Sequence, residues 1–338
     1  MKILAPVSVI ITMRNSETTI GQALHSLQIQ EYPIRQIIVI DNASTDTSTN
    51  IVNQFQKKSN IPVKLVRRRI NKGVSGSYDF GARIARSQFI VFFHSDSSLE
   101  SKKELSLLMQ PFLSDDEVIA SYPHTELPNK IWLQFPFWEQ YVFARSKGDE
   151  VGFNGKFDCI KKEFFIKAGG FDKKYFVWDK FMGGEDADLF FRLQKVGKLV
   201  LSEAKVIHLH YLGSHYEFND LLARKKMLAR TYGRLLRLRW RSLPIRTQGK
   251  GLTIPLGSLL FCIKPLLSVI PLLPGVHLIG FLLLIVFSFF YSWRMYVTPS
   301  SYKNFRIFLL PIVDIFFVYY ETFWMIEALL FRKSEYNT

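Results

Sequence analysis

Cysteine is close to absent. The 338-residue chain has two, Cys159 and Cys262, far apart in sequence. They make neither a disulfide framework nor a Cys-x-x-Cys metal or redox site. Acidic side chains are scarce beside basic ones, 29 against 44, which leaves a formal charge of +15. That balance suits a polyanionic partner, either nucleic acid or an anionic membrane surface. No zinc-finger or RNA-recognition signature supports nucleic acid. The densest basic run, RKKMLARTYGRLLRLRWRSLPIR at residues 224–246, stops just before an apolar tail, which favours the membrane. No internal repeat or low-complexity segment is visible, so repeat architectures are set aside. The start, MKILAPVSVIITMRN, lacks a small-residue cleavage site, and Pro6 interrupts its apolar run. It reads as a buried strand, not as a signal peptide.

What is abundant is apolar and aromatic surface, 48% and 15% of the residues. It is concentrated toward the end of the chain. GVHLIGFLLLIVFSFFYSW, residues 275–293, runs 19 residues without a charge. At ~1.5 Å per helical residue it matches a hydrocarbon core of ~30 Å. A Pro-rich apolar stretch with Lys264 inside it precedes this run, so residues 254–293 are expected to form a hairpin or re-entrant pair. FRIFLLPIVDIFFVYYETFWMIEALLF follows, carrying Asp314, Glu321 and Glu327 on roughly one helix face. Those acids are expensive in lipid and must meet protein, water or an interface. The expected division is two halves of a globular domain, 1–100 and 101–222, a basic juxtamembrane segment, 223–250, and transmembrane or interfacial helices, 251–333.

The front of the chain alternates. VSVIITM, QIIVIDNAS, PVKLVRR and QFIVFFHSDSS read as strands, and TIGQALHSLQIQ, TSTNIVNQFQKK and YDFGARIARS read as helices. Strand and helix in turn predict an α/β fold, an open and mostly parallel sheet with helices on both faces. Ligands of such sheets bind beyond the carboxyl ends of the strands. The polar clusters there are Arg14 to Glu17, Asp41 to Asp46, Asn71 to Gly76 and His94 to Ser97. NKIWLQFPFWEQYVFARS, further on, reads as an aromatic-rich loop.

Several residues in these places carry chemistry. Asp41 in VIDNASTD either caps a turn or accepts hydrogen bonds from a base or ribose. Asp96 in FFHSDSS follows a wholly apolar strand and is a candidate ligand for a hard divalent cation. His208 and His210, two apart in KVIHLHYLGSH, fall on one face of a strand-like run. FMGGEDADLFFRLQKVGKLV places two glycines and then Glu185 and Asp186 at the mouth of a helix. Acids there suit the positive end of the helix dipole. The glycines permit close backbone approach, which also suits a base aimed at a cleft.

VSVIITMRNSETTIGQALHSL, IIVIDNASTDTS, NKGVSGSYDFGARIARSQFIVFFHSD and GGFDKKYFVWDKFMGGEDADLFFRL, in this order, resemble glycosyltransferase family 2 with its GT-A fold. The resemblance spans about residues 6–215. It implies a nucleotide-sugar donor, with Asp41 as the carboxylate that reads the base. Thr12, Arg14, Asn15, Glu17, Asn42, Lys72, Gly73 and His94 would complete the donor site. Asp96 matches the last aspartate of an Asp-x-Asp motif that holds a divalent metal, Mn2+ or Mg2+, with a later histidine, His208 or His210, beside it. Asp186, with Glu185, matches the family's catalytic base. The sequence departs from the pattern at His94, which replaces the first aspartate, and at Tyr78 and Asp79, where many relatives carry Arg and Asn.

The expectation is a membrane-anchored inverting glycosyltransferase on the cytoplasmic side of a cell (inner) membrane. Its acceptor would be a lipid-linked saccharide, a polyprenyl carrier or another glycan, with no role for nucleic acid. The alternatives are a polyprenyl-phosphate sugar synthase and an inactive membrane-bound sugar-nucleotide-binding protein.

Overall fold

The computed structural model describes residues 5–144, 148–151, 153–172, 175–176, 183–209, 215–240 and 256–330. Two compact units result. One comprises residues 1–131 and 146–212, the other 132–145 and 213–338.

The first unit is built on one nine-stranded sheet. Its strands are β1 (Val7–Met13), β2 (Ile34–Asn42), β3 (Val63–Arg68), β4 (Phe89–His94), β5 (Ser97–Ser98), β6 (Val118–Leu127), β7 (Gly148–Val151), β8 (Phe157–Lys161) and β9 (Lys198–His208). They run in the order β3-β2-β1-β4-β8-β6-β9-β5, with β7 against β6. The first four are mutually parallel. β8 lies antiparallel to β4 and β6, whereas β9 lies parallel to β6.

Both faces are covered, which is why the strands are nearly continuous apolar runs instead of alternating ones. On one face Val9, Ile11, Ile37 and Val39 pack with Leu24 and Leu27 of the helix Ile20–Gln28 and with Leu105 and Leu108. On the other, Ile10, Ile38 and Phe92 meet Tyr78 and Ala82 of the helix Gly73–Ile84 and Leu189 and Leu193 of the helix Glu185–Leu193. A Cβ on Gly81 would overlap the Ile10 side chain, so glycine sets how closely that helix approaches the sheet.

Two local readings change. The helix expected from Tyr78 begins at Gly73. Gly73 has a positive φ of 71° and its N–H donates to Asn71 Oδ1 at 2.8 Å, so a side-chain turn starts the helix within the polar stretch. The aromatic stretch read as a loop forms two short helices, Asn129–Trp132 and Phe137–Phe143. The buried Trp132 donates from Nε1 to the Gln140 carbonyl at 3.0 Å. Residues 132–145 belong to the second unit, although the sequence division places them inside 101–222.

The second unit holds four longer helices, Phe218–Arg239, Leu256–Val269, His277–Tyr291 and Leu310–Leu330. The run expected to span a bilayer, 275–293, is shortened to 15 helical residues. Gly275, at φ 80°, breaks it at one end, and the helix stops at Tyr291. Among the described residues, the helical run long and apolar enough to cross a membrane is Phe305–Leu330, 26 residues. Its acids find protein partners. Asp314 accepts from Tyr141 Oη at 2.6 Å and from the Ser288 and Ser292 hydroxyls at 2.7 and 2.6 Å. Glu321 is ion-paired to Lys225 at 3.1 Å and to Lys264. Glu327 takes Arg230 in a two-pronged bond at 2.7 and 3.1 Å. Part of the basic run is thus internal wiring and not a solvated face. Residues 241–250 of that run lie outside the described residues.

Candidate active site

The register puts one end of the sheet in order. Met13 pairs with Asp41 and Thr12 with His94, so the polar residues after β1, β2 and β4 emerge together. Topology brings together here what sequence leaves scattered.

The loops after β1 and β2 are laced to each other. Asn15, at a positive φ of 49°, accepts from Thr45 N at 2.9 Å, and its own N–H donates to Ser44 Oγ at 3.0 Å. Glu17 Oε2 accepts from Thr47 N and Oγ1 at 3.0 and 2.7 Å. Asn42 takes the Ser77 hydroxyl at 2.8 Å and donates to the Gly73 carbonyl at 3.5 Å. Asn15, Glu17 and Asn42 therefore tie the loops together at the rim. Arg14 and Lys72 are exposed, and Thr12 is buried.

Asp41 is the outlier. It is fully buried, and its Oδ1 accepts from Ser44 N at 3.0 Å. Its Oδ2 lies 3.6 Å from Arg67 Nε and has no hydrogen bond among the described residues. A buried acceptor without a donor is costly. An incoming N–H from a nucleobase would satisfy it.

His94, Asp96 and His208 converge. Their ligating atoms lie within 4.8 Å of one another. His208 Nε2 is 3.0 Å from Asp96 Oδ2, and His94 Nδ1 is 3.7 Å from Asp96 Oδ1. The arrangement is set by main chain. Ser97 of β5 pairs with His208 of β9, and Leu209 N donates to the Asp96 carbonyl at 2.8 Å. Burial pushes His94 down to about 4, the field of Asp96 opposing, so its imidazole is neutral at pH 7 and keeps a lone pair for a ligand. Two imidazoles and one carboxylate suit Mn2+ better than Mg2+, which prefers oxygen alone. His94, where the resembling motif has an aspartate, thus still offers a ligand atom, of lower hardness. His210 lies outside the described residues.

The other departures have structural partners. Tyr78 stacks beside His94, ring centroids 6.2 Å apart, and donates to the Gly155 carbonyl at 2.8 Å. Asp79 Oδ1 accepts from Phe171 N at 3.1 Å, against Gly170, whose positive φ and lack of a Cβ make room for the carboxylate.

Gly184, at φ 83°, caps the helix that carries the acids. The three acids of its first turn divide. Asp188 is buried and ion-paired to Arg192 Nε at 2.8 Å, and Arg192 also donates to the Ala168 carbonyl. Asp186 Oδ1 accepts from Ala187 N at 2.7 Å and its side chain is partly exposed. Glu185 Oε2 has no hydrogen bond among the described residues, and burial together with the adjacent Asp186 raises its carboxyl above the usual range.

One acid went unremarked in the sequence. Asp158, in the middle of β8, is fully buried, and burial pushes its carboxyl up to about 8. The available signal was a carboxylate set in the apolar strand FDCI.

Comparison with known proteins bears on the family and the fold. The model of glycosyl transferase family 2 matches residues 8–173. A poly(ribitol-phosphate) beta-glucosyltransferase of Bacillus spizizenii is 36% identical over 99 residues, 28% of this chain and 16% of that protein. A UDP-Glc:alpha-D-GlcNAc-diphosphoundecaprenol beta-1,3-glucosyltransferase of Escherichia coli is 29% identical over 116 residues, 34% of this chain and 44% of that protein. The chain therefore spans less than half the length of either. A mannosyltransferase from Pyrobaculum calidifontis, solved in complex with GDP-Man and Mn2+, superposes over 98% of this chain and 89% of its own with a TM-score of 0.59 at 16% identity. The first unit has the GT-A fold, and its residues 8–173 match the model of the glycosyl transferase family 2 domain.

Proposed function

We propose that the protein is a membrane-anchored inverting glycosyltransferase that moves a sugar from a nucleotide-sugar donor to a lipid-linked saccharide or polyprenyl acceptor. The observation that carries this reading is the pairing of an unsatisfied buried Asp41 with the His94–Asp96–His208 cluster at one end of one sheet. Asp41 Oδ2 reads the base. A divalent ion held by His94, Asp96 and His208 would supply charge neutralisation for the diphosphate.

Asp186 is the general base. An acceptor hydroxyl oxygen forms a bond to the anomeric carbon, the bond from that carbon to the diphosphate oxygen breaks, and the hydroxyl proton passes to the Asp186 carboxylate. Attack opposite the leaving group inverts the anomeric configuration. Gly184 lets the helix mouth approach the acceptor without a Cβ in the way.

The lipid side of the reading rests on the second unit. Leu278, Phe290 and Phe308 are 73%, 73% and 81% exposed, in a chain segment dense with other exposed apolar residues. Exposed apolar surface on this scale marks an interaction site, and lipid covers it without specific contacts. The run Phe305–Leu330 is ~39 Å long at the helical rise, enough to cross a ~30 Å core with tilt. The polyprenyl-linked acceptor in the name of the Escherichia coli relative is of the same class. The catalytic unit would face the cytoplasm, where such donors are made, and Arg and Lys beside the apolar segments accord with that side.

The deciding experiment is a screen of nucleotide-sugar donors with the full chain in membranes, read as release of free nucleotide. Acceptor-dependent release from one donor is the expected result. Binding of a donor without release under any acceptor would leave a sugar-nucleotide-binding protein in place of an enzyme.

A further inference from the structure

We propose that Asp158 is a positioning residue that holds the Asn154–Lys156 loop behind His94, and so sets the geometry of the cluster that receives the donor diphosphate. The proposal rests on the transferase reading for its consequence, and on the first unit alone for its geometry.

Asp158 stands in register with Phe92, two residues before His94 on the neighbouring strand. Its Oδ2 accepts from Asn154 N at 2.9 Å and from Gly155 N. Those two bonds fold the chain back on itself just before β8, with Gly155 at a φ of +75°. The loop so made is locked by Asn154, which accepts from Lys156 N at 3.1 Å and donates to Thr125 Oγ1 at 3.1 Å.

The outer side of the loop is what His94 rests on. The Lys156 carbonyl accepts from His94 N at 3.4 Å. The Gly155 carbonyl accepts from Tyr78 Oη at 2.8 Å, and Tyr78 stacks beside the His94 ring. A Cβ at Gly155 would stand 3.2 Å from Tyr78 Cε2 and 3.4 Å from His94 Nε2. The loop backbone thus lies about one methyl group from the Tyr78 and His94 rings, and it is tied to His94 through the Lys156 carbonyl and through Tyr78, so a shift of the loop reaches the ring.

The choice of a carboxyl is otherwise hard to explain. A buried acid in the centre of a strand is a costly residue where an apolar one would pack. Two N–H groups that no strand partner takes account for one oxygen. The other oxygen has no hydrogen bond among the described residues, and the field of Asp186 reaches this carboxyl.

The test uses the full chain in detergent, with Mn2+ alone as the first probe and steady-state kinetics as the second. Asp158→Ala removes both acceptors. Gly155→Ala disturbs the same loop from its other side without touching Asp158. Asp158→Asn keeps one oxygen for the same two N–H groups. Removing a group that orients a ligand from behind typically costs tenfold or more in metal affinity, so Asp158→Ala and Gly155→Ala should each bind Mn2+ about tenfold more weakly. Both should raise the donor KM and leave the acceptor KM within about twofold. Asp158→Asn should recover most of the loss.

Wild-type Mn2+ binding in Asp158→Ala overturns the proposal. So does an Asp158→Asn variant as weak as Asp158→Ala, or a wild-type chain that binds no Mn2+. If Asp158→Ala does not fold, Gly155→Ala against Asp158→Asn decides. A wild-type protein that turns over no donor refutes the transferase reading instead, while the order of Mn2+ affinities still judges Asp158.

Discussion

His208 Nε2 lies 3.0 Å from Asp96 Oδ2, although 112 residues separate them. The pairing of β5 with β9 brings them there, with the Leu209 N–H on the Asp96 carbonyl as its last rung. The contact is built by backbone before any ligand arrives. A cluster held this way needs little rearrangement on binding, and a change in one member should be felt as a loss of affinity more than of fold.

Asp96→Ala is therefore expected to fold and to lose divalent-ion binding. Transfer should fall below detection, and donor affinity in Mn2+ should fall with it. Calorimetric titration of Mn2+ and then donor into the variant measures both. Wild-type turnover that survives excess chelator would remove the metal from the account and leave His94 and His208 to meet the diphosphate directly.

Asp186→Asn keeps the shape of the helix mouth and removes the proposed base. Proton abstraction of this kind is worth ~10²–10⁴-fold, so kcat for a hydroxyl acceptor should drop by that order while the donor Kd stays near wild type. Undiminished turnover would point to a phosphate acceptor, which has no proton to lose, and hence to a polyprenyl-phosphate sugar synthase.

Asp158 gives the first unit a pH dependence of definite sign. In the unfolded chain this carboxyl ionises near 4, and in the folded protein only at about 8. Between those values the folded state holds one proton more, so rising pH favours unfolding, by about 1.4 kcal/mol per pH unit, until the slope fades above 8. Asp158→Asn should flatten that slope. Melting temperatures of both proteins at pH 5, 6.5 and 8 check it. Parallel pH curves would mean that the buried acid is already ionised in the folded protein.

In the second unit Glu321 balances two buried lysines, Lys225 and Lys264. Glu321→Leu should cost about 3–5 kcal/mol, because breaking a buried pair strands a charge. The loss would show as a lowered melting temperature in detergent. Replacing Lys264 by Met alone should cost less, since Lys225 remains on the carboxylate. Equal and small effects of the two substitutions would indicate that water reaches this cluster.

Gly233 tests how the helices of that unit pack. A Cβ there would overlap the Met325 carbonyl and stand 3.0 Å from Ala328 Cβ. Gly233→Val should destabilise by about 1–3 kcal/mol through overpacking. An unchanged melting temperature would show that the helices Phe218–Arg239 and Leu310–Leu330 have room to part.

Local pattern alone determined the parallel half of the sheet. VSVIITM, IIVID and FIVFF are unbroken apolar runs because parallel strands are buried on both faces, and helical stretches separate them. The motifs at their ends resemble glycosyltransferase family 2, and it is that resemblance that implied the GT-A fold, since strand ends are short-range facts and sheet order is not. Tertiary structure decided everything that depends on distant pairing. It placed His94 with Asp96 and His208 through a two-residue strand no periodicity would flag. It turned Asn15, Glu17 and Asn42 into loop ties, and divided Glu185, Asp186 and Asp188 by burial. It showed Asp314, Glu321 and Glu327 satisfied by Tyr141, Lys225, Lys264 and Arg230, partners up to 173 residues away. An ionisable side chain carries no mark in sequence of whether it will be buried, and its chemistry follows from the neighbours that only folding supplies.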